Sequence, residues 1–372
     1  MRCHDVEPQG IPFLGKNRGN SIVSSLSVQQ EAAWKLLRAD MQFLYTITEN
    51  QDLVGGTYWN ALMPYMAMII DGAEEWISAV NRVHPHTIVA PVFTEEQTAF
   101  YERTRSGIKL WEFPLEQIKQ MMADKYRASD QYFSACCLPL AKLLKLYDIY
   151  GVYCVEDHFC NNTVLDMLYL PDYHLDDEEY GPYLQSMAYI AGQYAVVFDA
   201  LLPYHVNDSF EFAHLDFGGF VKSPVGNDFS EKFILLSLLC QINFVLICVD
   251  GFIVEEVPIK LRIAYVLYYY LCGALSEIRQ YVNYPISLNT AYCSREFRNA
   301  MAHYKIGRYL REDEIIFSDL MCGMTYKAFG VNYQATKDAI YTELRQLARQ
   351  LEDYLHVRPE DVRSLFGNLK FR

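Results

Sequence analysis

Residues 233–249 read FILLSLLCQINFVLICV, and residues 263–275 read IAYVLYYYLCGAL. Neither run contains a charged residue, and the assignment of these two segments decides the fold. A bilayer-spanning helix needs roughly 18–20 apolar residues. The first run falls just short and carries Ser237, Gln241 and Asn243; the second is shorter and is flanked by Lys260, Arg262 and Glu277. Both therefore read as central helices of a bundle, apolar on all sides because all sides are packed. No stable membrane association is expected.

Helical periodicity extends outward from these runs. Apolar positions Ala32, Ala33, Leu36, Leu37, Met41 and Leu44 mark a first helix from about 28. Further helices are expected at about 58–80, 115–133, 135–149, 153–170, 183–202, 291–310 and 335–355. Residues 87–93 read as a short strand, held to an edge by Pro91. Only 19 Gly and 14 Pro occur in 372 residues, against 29 Tyr and 21 Phe, which suits aromatic-rich helix packing better than a turn-rich sandwich. The expected fold class is all-α.

The chain is long enough for two domains. The turn-rich stretch 206–228, with Asn207-Asp208, Gly218-Gly219, Pro224 and Gly226-Asn227, is the natural boundary. The expected organisation is an irregular lead (1–27), a helical domain (28–205), a linker (206–228) and a four- or five-helix bundle (229–372). Met1 to Asn20 lacks an apolar core of the signal-peptide type. Ten cysteines, several inside apolar runs, fit reduced thiols in the cytoplasm. Cys154, His158 and Cys160 lack a second ligand pair, and His84-Pro85-His86 lacks a third ligand, so neither metal nor cofactor is expected.

The formal net charge of −14 disfavours nonspecific nucleic-acid binding by the whole chain. Residues 285–372 differ, with 13 Lys and Arg against 11 Asp and Glu. Within them, Arg298-Asn299-Ala300-Met301-Ala302-His303 is the one chemically pointed cluster. On a helix, Phe297, Ala300, Met301 and Tyr304 form an i, i+3, i+4, i+7 stripe toward a core, with Ser294 as N-cap. Arg298, Asn299, Ala302 and His303 then face elsewhere, toward a ligand or a second subunit. Arg295, Arg298, Lys305, Arg308 and Arg311 predict a local positive field.

The run Phe297-Arg298-Asn299-Ala300-Met301-Ala302-His303-Tyr304 closely resembles the signature of the HEPN superfamily, in which an Arg, often followed by Asn, precedes a His by a four- to six-residue gap. The resemblance covers the C-terminal region alone. It implies a helical bundle, commonly dimeric, and for many members a metal-independent ribonuclease of toxin–antitoxin, phage-defence or RNA-processing systems. Toxins paired with nucleotidyltransferase antitoxins carry a Tyr two residues after the His; here Tyr304 follows directly and Lys305 takes that place. Carried onto this chain, His303 would be general acid or base, Arg298 would hold the scissile phosphate, and Asn299 would orient either. Arg295, Lys305 and Arg308 would bind RNA or a nucleotide, and a homodimer would form through the 298–303 helix. The competing reading is a non-catalytic HEPN-like module that uses this face for dimerisation or for binding a nucleotide or partner.

Overall fold

Ser27 starts the first helix by a capping box. Its side chain accepts from the Gln30 amide, while the Gln30 side chain accepts from the Ser27 amide. The computed structural model describes residues 26–144, 148–168, 170, 181–218, 221–226 and 230–367. Almost all of the irregular lead expected at 1–27 thus lies outside the described residues. Helix α1 (Val28–Glu49) buries the predicted stripe, with Asp40 buried among its apolar neighbours. Helix α2 (Gln51–Val83) is longer than expected. Gly55, at φ 64°, breaks it near its start, a conformation that glycine adopts without steric cost.

Next come α3 (Glu95–Ser106), a 3₁₀ turn (Gly107–Glu112), α4 (Leu115–Cys136) and the short α5 (Pro139–Leu143). Residues 87–93, expected as a strand, form no ladder. The strands lie instead where helices were expected at 135–149 and 153–170. They are β1 (Asp148–Val155) and β2 (His158–Asn162), with β3 (Ala213–Gly218) completing an antiparallel sheet of order β2-β1-β3. The hairpin turn explains the difference. Glu156 and Asp157 both adopt positive φ, 50° and 63°, matching the two-residue type I′ turn that joins twisted strands. After β2 come α6 (Thr163–Met167) and α7 (Gly181–Val197).

The first apolar run lies in α8 (Glu231–Phe252), whose Phe244–Val249 portion is π-helical. It is the one helix among the described residues long and apolar enough to cross a membrane, and 78% of its apolar window is buried inside the protein. Its polar residues explain why it packs here. Ser237 accepts from Asn162 (3.1 Å), Gln241 accepts from the Trp111 indole (2.6 Å), and Asn243 donates to the Phe159 carbonyl (3.1 Å). The second run lies in α9 (Pro258–Tyr281), and the chain ends with α10 (Arg295–His303), α11 (Ile306–Tyr309), α12 (Leu320–Phe329), α13 (Tyr333–Leu355) and α14 (Pro359–Gly367). The class is mostly helical, with one small sheet.

The boundary expected at 206–228 does not separate two cores. Within it, β3 pairs with β1, Val206 bridges Ile253, and the Asn207 amide donates to the Phe252 carbonyl (2.8 Å). One apolar core runs from α1 and α2 through α8 and α9 to α13. At its centre lies a charged group. Arg262 of α9 and Asp40 of α1 are both fully buried, with Nε–Oδ2 at 3.4 Å, and the Tyr304 hydroxyl donates to the same Oδ2 at 2.5 Å. Burial pushes the Asp40 carboxyl up to about 6, against the opposing pull of Arg262 and Tyr304.

Removing one member of a buried ion pair strands the other charge. Asp40→Ala should lower unfolding free energy by about 3–5 kcal/mol in urea titrations. Asp166, which accepts from Thr57 and Asn161, is a second buried carboxyl, pushed up to about 7 by burial. A carboxyl raised in the folded state binds its proton more tightly there than in the unfolded chain. Its contribution to stability is therefore present in acid and declines as pH rises from about 4 to about 7. Asp166→Asn should flatten that part of the stability–pH curve, measured by urea midpoints across this range.

Candidate functional site

Helix α10 begins as the sequence predicts: Ser294 accepts from the Phe297 amide at 3.2 Å, and Phe297, Ala300 and Met301 are buried. It ends earlier than the expected 310. Tyr304 takes the left-handed conformation (φ 50°, ψ 30°), which costs a non-glycine residue on the order of 1–3 kcal/mol. Three contacts hold it there. Its hydroxyl reaches Asp40, its ring lies under the Arg262 guanidinium at 3.6 Å, and Arg262 Nη2 also donates to the Met301 carbonyl at 2.5 Å. Arg262 thus satisfies a carbonyl that the helix end leaves open and places positive charge at the negative end of its dipole.

The ring of Tyr304 also needs space on α2. A Cβ on Gly72 would lie 2.1 Å from Tyr304 Cδ2, so only glycine admits the tyrosine in this position. Here α2 covers the face of α10 that the sequence reading turned outward, and Ala302 is buried. The floor foreseen for a ligand or second subunit is packed within the chain itself.

The candidate site residues therefore divide. Arg298 lies over Tyr269 and Tyr270, at 4.9 and 5.4 Å from the ring centres, with Nη2 3.8 Å from Glu112. Its side chain is 13% exposed, and its Nε is buried without a hydrogen-bond partner among the described residues. Asn299 is half-buried, and Arg295 and Arg308 are exposed. Lys305 and Arg308 lie beyond the end of α10, not on it. Lys305 pairs with Glu75 at 3.4 Å, and Arg311 pairs with Asp313 and Glu314. The continuous positive field expected from these cations is thus broken up by acidic partners.

His303 is the accessible centre, with a quarter of its side chain exposed. Its Nδ1 lies 3.4 Å from Asp71 Oδ2, which is also 2.9 Å from Arg105 Nη2 on α3. Glu74 accepts from the Tyr194 hydroxyl at 2.9 Å. Burial is the main cause raising the Glu74 carboxyl; donation from Tyr194 opposes it, and the charges of Asp71 and Glu102 add to it. Burial first, then Glu74 and Asp71, pushes the Tyr101 phenol up as well. The surroundings of His303 are mixed in charge and rich in carboxylates. Its partner Asp71 comes from α2, and Arg105, which pairs with Asp71, from α3, both outside the region carrying the motif.

The other candidate ligand groups have separate partners or settings. His158 pairs with Glu352 at 2.8 Å, Cys154 and Cys160 are buried free thiols, and His84-Pro85-His86 lies in the turn after α2. The chain matches no protein-family model, and no curated protein or solved structure is significantly similar to it.

The Gly72–Tyr304 contact makes a prediction of unusual sign. Gly→Ala inside a helix ordinarily stabilises by roughly 0.5–1 kcal/mol. Gly72→Ala should instead destabilise by about 1–3 kcal/mol through overpacking. In NMR spectra it should also shift the imidazole resonances of His303, because the turn that ends α10 must move.

Proposed function

We propose that the chain is a HEPN-like, metal-independent RNA endonuclease of the cytoplasm. In this reading His303 transfers the proton and Arg298 stabilises the scissile phosphate. The observation that carries it is the placement of His303: accessible, at the end of a rigidly held helix, beside a carboxylate that orients its ring. Asp71 meets Nδ1, leaving Nε2 as the nitrogen that exchanges a proton with substrate.

RNA supplies its own nucleophile in the 2′-hydroxyl, so the reaction needs an acid–base group and charge stabilisation rather than a metal. Arg105 stands by Asp71, and Lys305 by Glu75, each able to meet a phosphate oxygen. Arg298 reaches the phosphate by exchanging its long contact with the exposed Glu112. Exposed Arg295 and Arg308 extend the path of the strand, and Asn299 orients the phosphate. A single His provides one proton-transfer group; a second copy, meeting the first along the accessible edge of α10, supplies the other. A role in defence or in a toxin system follows from the family resemblance.

A second reading has its own support. Arg298 is largely covered by Tyr269 and Tyr270, Ala302 is buried, and the carboxylates Asp71 and Glu75 stand beside His303. Those features suit a non-catalytic HEPN-like module in which the motif fixes the fold and serves dimerisation or the binding of a nucleotide or partner.

Incubating purified protein with a pool of RNAs in EDTA separates the two. The catalytic reading expects fragments ending in 2′,3′-cyclic phosphate and 5′-hydroxyl. Loss should be about 10²–10⁴-fold in His303→Ala and about 10²–10³-fold in Arg298→Ala. Absence of cleavage, or cleavage unchanged in His303→Ala, overturns it and leaves the binding module. Loss of dimerisation in Arg298→Ala without any RNA phenotype also favours the module.

A further inference from the structure

Asp71 and Glu75 are four residues apart on α2 and project from one face of that helix. His303 approaches that face from the end of α10. One ligand-type atom from each residue lies within 4.8 Å of the other two. The set combines two carboxylates on one rigid helix with an imidazole from a second element.

The distances fit a shared ion. His303 Nδ1 and Asp71 Oδ2 are 3.4 Å apart, beyond the ~2.7–2.9 Å of a charge-assisted hydrogen bond. With ligand bonds of about 2.0–2.2 Å, neighbouring donors on one ion stand roughly 3.0–3.5 Å apart. Glu75 is 43% exposed and turns easily, whereas Asp71 is 12% exposed and His303 25%. Two donors are therefore held firmly while the third can close. The Asp40–Arg262–Tyr304 group and the Gly72 contact fix the end of α10 against α2, so the imidazole is set in place before any ion arrives.

Charge favours a cation as well. Asp71 pairs with Arg105 and Glu75 with Lys305, and Glu74, within electrostatic range of Asp71, adds one further carboxylate. Arg105 and Lys305 compete for the same carboxylates. Both are about one-third exposed and can swing to water when an ion takes their place.

We propose that Asp71, Glu75 and His303 form a binding site for a divalent first-row transition cation of the zinc type. Imidazole in the donor set selects this class over magnesium and calcium, which prefer oxygen alone. Water would complete the coordination. An ion on the His303 ring withholds it from proton transfer, so the cation would inhibit cleavage. That consequence rests on the endonuclease reading; the binding itself does not.

The test is calorimetric titration of chelator-treated, dialysed full-length protein with Zn²⁺ alone, with Co²⁺ absorption as a second readout. One equivalent should bind. Affinity should fall at least ~10-fold in His303→Ala and in Glu75→Gln, and stay unchanged in His86→Ala. Circular dichroism establishes that each variant is folded, and Glu75, being exposed, can be neutralised without disturbing the core. Absence of Zn²⁺ and Co²⁺ binding, or equal affinity in the wild type and in both ligand variants, overturns the proposal. In parallel, Zn²⁺ added to an EDTA-free cleavage assay should suppress activity. If no RNA is cleaved under any condition, the endonuclease reading fails while the titration still decides the site.

Discussion

A guanidinium buried without water must be matched on several sides at once, and Arg262 is matched on three. Asp40 supplies charge, the Met301 carbonyl accepts a hydrogen bond, and the Tyr304 ring lies against the guanidinium face. The match is incomplete: Asp40 Oδ1 and Arg262 Nη1 find no hydrogen-bond partner among the described residues. A well-packed apolar substitute would cost less desolvation. What the ionic group provides is position, because α1, α9 and the end of α10 can satisfy it in only one arrangement. Gly72 extends the same constraint to α2. The orientation of His303 follows from it.

This arrangement explains which parts of the molecule were legible in the sequence. The buried positions Phe297, Ala300 and Met301 and the Ser294 cap are local, set by helical period and by one side chain, and the sequence shows them. The end of α10 is not legible, because no glycine or proline marks it; a tyrosine held by Asp40, Arg262 and Gly72, all distant in sequence, takes the left-handed turn. Asp71 and Arg105 were missed for the same reason, since their relation to His303 exists only in three dimensions. A signal was nevertheless present. Asp71 stands alone at the end of the apolar run from Ala61 to Ile70, and Asp40 lies on the apolar stripe of α1. A lone carboxylate in such a position needs a cation, hydrogen-bond donors or its own proton. The expected helices at 135–149 and 153–170 overlap only the two ends of β1 and all of β2, because the turn at Glu156-Asp157, with both residues at positive φ, carries no glycine or asparagine to mark it.

The accessible chemistry draws on both halves of the chain. The motif contributes an imidazole and a guanidinium, while α2 and α3 contribute the carboxylates and cations around the imidazole. That division bears on function. Arg298 and His303 leave α10 toward different neighbours, one toward tyrosines of α9 and the 3₁₀ turn, the other toward the acidic face of α2. A phosphodiester and a metal ion would make opposite electrostatic demands on the same few residues, and Arg105 and Lys305 are placed to serve as the movable counter-charges for either.

Through Asp40, Arg262 and Gly72, α10 and its histidine form one cooperative unit with the first helices. All four tryptophans, Trp34, Trp59, Trp76 and Trp111, lie in the first third of the chain, so their fluorescence reports that part and what packs on it, as Gln241 does on Trp111. Equilibrium urea unfolding should be followed by this fluorescence and, in the same samples, by the imidazole proton signal of His303. Coincident transitions with a single midpoint are expected. Loss of the native His303 signal at a urea concentration clearly different from the tryptophan midpoint would contradict a single cooperative unit.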